Sequence, residues 1–213
     1  MTSSRIPHVR FALAAILAPL AGALVACGDP LSARANLAVS TDTLVVFSLT
    51  DPDPSHRDYP TALLTAAGTS VAEGTLQLEP RVLSASGSGD FDVAFDLDGS
   101  GNVVVIPQRR VIPGAGGRAV GLVKSDRSFD DLTEAPRSGY QFDTTAVTVA
   151  VGETVVLQTQ IARCFNDSRG ASPFLFSKLV VDSVLEATRA IHFRLTLDPN
   201  CGFRSFKPGV PGN

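Results

Sequence analysis

Oxygen-bearing side chains recur at alternate positions in Asp96, Asp98, Ser100 and Asn102, and Gly101 stands where a calcium loop makes its turn. A Ca²⁺ ion takes about six to eight oxygens. Here the position that should hold a bidentate Glu is Pro107 and both flanks read as strands, so an acidic hairpin turn accounts for the same residues, with Ca²⁺ as the alternative. A second cluster, Asp51-Pro52-Asp53-Pro54-Ser55-His56-Arg57-Asp58-Tyr59, gathers three carboxylates and an imidazole. It could serve a metal or a surface contact; its prolines predict an extended, solvated loop. Alternation in Ile191-His192-Phe193-Arg194-Leu195 puts His192 on the face opposite the apolar residues, which predicts an exposed strand histidine. Gly114-Ala115-Gly116-Gly117-Arg118-Ala119 superficially satisfies a dinucleotide-binding glycine pattern, but Pro113 precedes it and a strand follows, which predicts a hairpin link. There is no Gly-x-Ser-x-Gly elbow, His-Glu-x-x-His helix, Walker loop or Cys-x-x-Cys pair. No catalytic residue and no cofactor is therefore assigned.

The elements that must position these residues read as strands. Phe91, Val93, Phe95 and Leu97 share one face against Asp92, Ala94, Asp96 and Asp98, and Val103 to Ile106 returns after a Gly-containing link, which predicts a hairpin. A second hairpin is expected between Val147 to Val151 and Val155 to Thr159, across Gly152-Glu153-Thr154, and a third between Lys178 to Val184 and Ala190 to Leu197. Leu37 to Leu49, Thr61 to Ala66, Thr75 to Ser84 and Arg118 to Lys124 are further strand candidates, and a short helix is expected around Phe129 to Ala135. The pattern predicts an all-β, antiparallel sandwich. Two modules are preferred, 37–135 and 140–206, divided near Pro136 to Gly139.

The 213 residues are 44% hydrophobic and 18% charged with a formal charge of -3, and Lys and Arg are scattered, which excludes a nucleic-acid binder by bulk charge. Residues 1–26 read as an export signal: Arg5 and Arg10, an acid-free apolar run from Phe11 to Val25, then Ala26. That run is shorter than the roughly 20 residues of a membrane span and carries Pro19 and Gly22.

Leu24-Val25-Ala26-Cys27 resembles the lipobox of bacterial lipoproteins. The resemblance implies a diacylglyceryl group on the Cys27 thiol, cleavage just before it, acylation of the new amine with palmitate as the expected chain, and a membrane anchor made permanent by several acyl chains. A polar tether, residues 27–36, then precedes the body. Gly28 favours outer-membrane sorting by the same resemblance, and Asp29 weakens it. The processed chain would keep 187 residues and a charge of -5. In that oxidising compartment Cys164 and Cys201 are the natural disulfide pair.

Thr148 to Thr159, with Val-x-Val-Gly-Glu-Thr, resembles an edge hairpin of bacterial immunoglobulin-like modules, over about a dozen residues, while the absence of Trp departs from true immunoglobulin domains. The function expected is a non-enzymatic binding or structural module of the cell envelope, with an envelope protein or a glycan as partner. A calcium-dependent adhesion module and a β-fold hydrolase working through His56 or His192 are the alternatives.

Overall fold

Valine-rich runs of period two, broken by Gly, Asp and Pro, fold into strands wherever one face finds a partner sheet. The structure is a computed structural model and describes residues 35–70, 76–86, 89–114, 116–165 and 172–212. Eleven strands occur among them: β1 (Ser40–Phe47), β2 (Ala62–Ser70), β3 (Leu76–Leu83), β4 (Val93–Leu97), β5 (Val103–Pro107), β6 (Val120–Ser125), β7 (Gln141–Phe142), β8 (Val147–Val149), β9 (Thr154–Gln160), β10 (Phe174–Leu185) and β11 (Ala190–Asp198). Among the described residues helix is confined to α1 (Gln108–Val111), α2 (Ala162–Phe165) and a 3₁₀ turn at Pro54–His56. None of these helices is long and apolar enough to cross a membrane.

The strands make two antiparallel sheets, one ordered β1-β11-β10-β9-β6-β7 and the other β3-β2-β4-β5-β8. This is the expected all-β sandwich. Its main core lies between the sheets, where Val46, Leu122, Leu157, Leu179, Ile191, Phe193 and Leu195 of the first meet Leu63, Val93, Phe95, Val103, Val105 and Val149 of the second. Phe95 and Phe193 stack across the interface with ring centroids 5.1 Å apart.

Both outer faces are also partly covered. Leu132, Ala135 and Phe206 pack on Val156 and Phe176 outside the six-stranded sheet. Beneath them Lys178 is buried, donating to the carbonyls of Phe129 and Leu132 with the Phe129 ring 4.2 Å away. Outside the five-stranded sheet, Phe91 and Ala85 cover Ala62 and Ala94. Phe91 therefore faces away from Phe95, contrary to the expected alternation, because β4 begins only at Val93. Asp92, set by the alternation opposite Val93 and Phe95, is buried as well.

Two of the three expected hairpins form as read. Leu97 pairs with Val103 at the β4–β5 turn, and Leu185 pairs with Ala190 at the β10–β11 turn. The third does not. β8 pairs with β5 while β9 pairs with β6 and β10, so Ala150 to Glu153 is a corner that carries the chain from one sheet to the other. Gly152 takes φ +86°, which favours glycine there, and its N–H donates to Val181 O at 2.8 Å.

Three other expectations are corrected. Residues 129–135 form no helix; Glu134 instead bridges to Ser205. The link from Gly114 to Ala119 joins α1 to β6 and so also changes sheet, which makes it a crossover and not a hairpin link; Ala115 lies outside the described residues. Strands from both sides of Pro136 to Gly139 share each sheet, and Ala33–Asn213 is one compact unit, so that segment does not divide two modules.

Candidate functional site

β1 spans the sandwich, and its two ends mark two different poles. Ser40 pairs with Leu197 at one end and Phe47 with Ala190 at the other, a separation of about 23 Å at ~3.3 Å per residue. At the first pole Asn200 clamps the incoming chain. Its Oδ1 accepts from Asn36 N at 2.9 Å and Leu37 N at 3.0 Å, and its Nδ2 donates to Leu37 O at 2.8 Å. Asp198 holds Asn200 in turn, accepting from its backbone N at 3.0 Å and Nδ2 at 2.8 Å. Burial pushes the Asp198 carboxyl above its ordinary range, against the pull of those Asn200 hydrogen bonds.

The expected disulfide sits beside this clamp. Cys164 in α2 and Cys201 after β11 are bonded, with Cα atoms 5.4 Å apart, inside a small core with Ala66, Ile161, Leu175 and Leu197. Cys27, the expected lipid-bearing residue, lies outside the described residues.

At the opposite pole the segment after β1 folds over the ends of β2 and β3 and borders an open cavity of about 290 Å³. Ser48, Leu49, Asp51, Asp53, Pro54, His56, Arg57, Thr61, Ser84 and Ser86 line it. The local sequence explains the loop. Asp53 caps the 3₁₀ turn, its Oδ1 accepting from Ser55 N at 2.9 Å and Ser55 Oγ at 2.7 Å, with Pro54 supplying the fixed φ of a first helical position. The expected extended loop is thus a tight turn.

That turn brings His56 back onto Asp51, Nδ1 donating to Oδ2 at 2.8 Å, with the other ring nitrogen 3.7 Å from Asp53 Oδ2. Tyr59 stacks on the His56 ring at 4.5 Å between centroids, and Phe47 packs against Tyr59 at 4.4 Å. The Asp51 carboxyl lies below its usual range, first because Asp53 N–H donates to it and then because His56 does. Ser55, through its hydroxyl and then its backbone N–H, does the same for Asp53.

The four calcium-loop residues are engaged otherwise. Burial raises the Asp96 carboxyl, but hydrogen bonds from Ser48 and Thr50 outweigh it and the net shift is downward. Asp96 Oδ1 accepts from the Ser48 hydroxyl and from Thr50 Oγ1 at 2.7 Å, and Arg189 lies 3.6 Å away. Asp98 turns into its own hairpin link, accepting from Ser100 N at 2.8 Å and Asn102 N at 2.9 Å, and the Asn102 amide donates to its other oxygen at 3.2 Å. Gly101 takes φ +80° within that turn. Among the described residues no group of three or more His, Cys, Asp or Glu side chains is placed to hold a metal ion.

His192 does not line the cavity; it lies in β11 opposite Val45 and is half-buried. Arg109 and Arg110 brace the 143–144 turn, Arg109 pairing with Asp143 at 2.7 Å and Arg110 donating to Thr144 O at 3.0 Å.

Pattern reading missed Asp92. It sits at 0% exposure with Thr65 N and Oγ1 donating at 2.7 and 2.5 Å and Arg118 at 3.3 Å, and burial raises its carboxyl despite the Arg118 charge. Thr65 belongs to one sheet and Arg118 leads into the other, so this carboxyl ties the sheets together. The pattern also missed Ser84 and Ser86 as partners of the Asp51 loop.

Compared with family models, curated proteins and solved structures, the chain matches none. The fold and the cavity therefore define a two-sheet antiparallel β protein with a polar recess at one pole, and the function is argued from that recess.

Proposed function

We propose that the protein is a lipid-anchored module of the cell envelope that recognises a partner through the polar cavity at its loop pole and catalyses no reaction. One observation carries this reading: the cavity lies at the end of β1 away from the place where Asn200 clamps Asn36 and Leu37. With Cys27 lipidated, a tether of residues 27–36 ends at the clamped pole, and the recess faces away from the point of attachment. Outer-membrane sorting follows from Gly28 in the same reading. The partner is an envelope glycan or protein.

A photo-crosslinking residue at exposed Asp58, beside the cavity, tests this against one at exposed Lys207. In intact envelopes the Asp58 position gives a discrete adduct that Arg57→Ala abolishes, and the Lys207 position does not give it. Equal adducts from both positions, or none from Asp58, would refute the proposal.

The Asp51–His56 hydrogen bond, beside hydroxyls of Ser84 and Ser86, supports a second reading as a hydrolase. It requires turnover of an ester or glycoside substrate that His56→Ala removes. His192, remote from the recess, has no part in that reading.

A further inference from the structure

We infer that the cavity at the loop pole takes a neutral, hydroxyl-rich sugar unit; this deepens the binding reading and rests on it. Some polar groups on the wall are already used and others are not. Asp51 is committed on both oxygens, to Asp53 N and to His56 Nδ1. Ser48 is committed too, donating to Asp96 and accepting from Arg189. Asp53 has spent Oδ1 on Ser55, while Oδ2 stands 3.7 Å from His56 Nε2, beyond a normal hydrogen bond, and is left as an acceptor.

Donors are left beside it. Thr61 Oγ1 accepts from Ala85 N at 3.1 Å, which leaves its own O–H to give. Ser84 and Ser86 share one hydrogen bond of 2.8 Å, so one of their two O–H groups is spare. Among the described residues the Arg57 guanidinium has no hydrogen-bond or ion-pair partner.

The wall thus offers an acceptor and several donors side by side, with Asp51 and Asp53 set against Arg57 and a nearly balanced charge. An anion would need a wall of donors and a cation a wall of acceptors. A vicinal diol needs both, because each hydroxyl donates one hydrogen bond and accepts others: the planar Arg57 guanidinium can donate to two neighbouring hydroxyls at once while Asp53 Oδ2 accepts from one. Among the described residues Leu49 and Pro54 are the apolar residues of the wall, and polar side chains make up the rest. The volume lies at the lower limit of ligand pockets, about 300 Å³, which suits a single ring at the end of a chain.

Saturation-transfer difference NMR on the purified full-length protein tests this with glucose, galactose, mannose and N-acetylglucosamine as probes and glucuronate and choline as charged controls. At least one neutral sugar should receive transfer with a millimolar Kd, weakened about tenfold or more by Arg57→Ala and by Asp53→Ala and unchanged by Lys207→Ala. Arg57→Lys should recover part of the loss, and thermal melts of the exposed-loop variants should match the parent. No transfer to any neutral sugar up to about 20 mM, or tighter binding of glucuronate or choline than of every neutral sugar, would overturn the inference. If the sugars fail while the Asp58 adduct still depends on Arg57, the glycan inference falls and the binding reading stands. If the adduct fails as well, both fall.

Discussion

The two poles of the sandwich are built from the same kinds of residue and put to opposite uses. At the clamp pole an acid and an amide, Asp198 and Asn200, are buried, bonded to each other and to backbone, and sealed by a disulfide. At the loop pole Asp53, Arg57 and the serines of residues 84 and 86 line an open recess and keep hydrogen-bonding capacity unused. Burial, and not residue type, decides whether a polar cluster holds a chain together or waits for a partner.

The comparison breaks most severely at the disulfide. Cys201→Ser removes a cross-link between residues 37 positions apart, worth roughly 4 kcal/mol by chain entropy, and should lower Tm by about 8 to 16 °C in a calorimetric scan. Asn200→Ala should cost about 1 to 3 kcal/mol, because it removes the side-chain amide from buried Asp198 and the acceptor from the N–H groups of Asn36 and Leu37. In that variant amide exchange should quicken at residues 36–40 and stay unchanged at 50–59.

His56→Ala should act on the other pole only. Loss of its bond to Asp51 and of the Tyr59 stack should release residues 51–59 to faster exchange while global stability falls by less than about 1 kcal/mol. An equal loss of stability from His56→Ala and Asn200→Ala would erase the contrast between the poles.

Acid should separate the poles more gently. Asp51, Asp53 and Asp98 are held below the ordinary aspartate range, so their stabilisation is present above about pH 4 and lost as pH falls through their lower folded values. Asp198 is raised, so its contribution runs the other way: present below about pH 4 and lost as pH rises through its folded value. As pH falls from about 5 to about 3, the protection factors at 51–59 and 98–102, each taken relative to free-chain exchange at the same pH, should drop while those at 198–201 hold.

The sequence made some of this legible. The β4–β5 and β10–β11 hairpins follow from alternation and a short link, both local properties. The Ala150 to Glu153 corner carries the same local signals as a hairpin, yet it changes sheet, because its strands are claimed by distant partners: Val149 by Val103 and Val156 by Lys178. The disulfide was legible because, with Cys27 read as the lipid-bearing residue of an exported protein, Cys164 and Cys201 were the two cysteines left to pair. The recess was not, since it joins residues 48–61 to Ser84 and Ser86 and only the return of β3 beside β2 brings them together. Asp53-Pro54-Ser55 did hold a usable signal, a capping acid followed by a first-turn proline. Read that way, it predicts the turn that carries His56 onto Asp51.

The central claim is that the loop pole recognises and the clamp pole holds. Hydrogen exchange on the protein in intact envelopes, set against the same protein purified, tests it most directly. The account predicts added protection at residues 48–59 and 84–86 in the envelope and none at 198–206. Protection gained at 198–206 instead, with the loop pole unchanged, would contradict it.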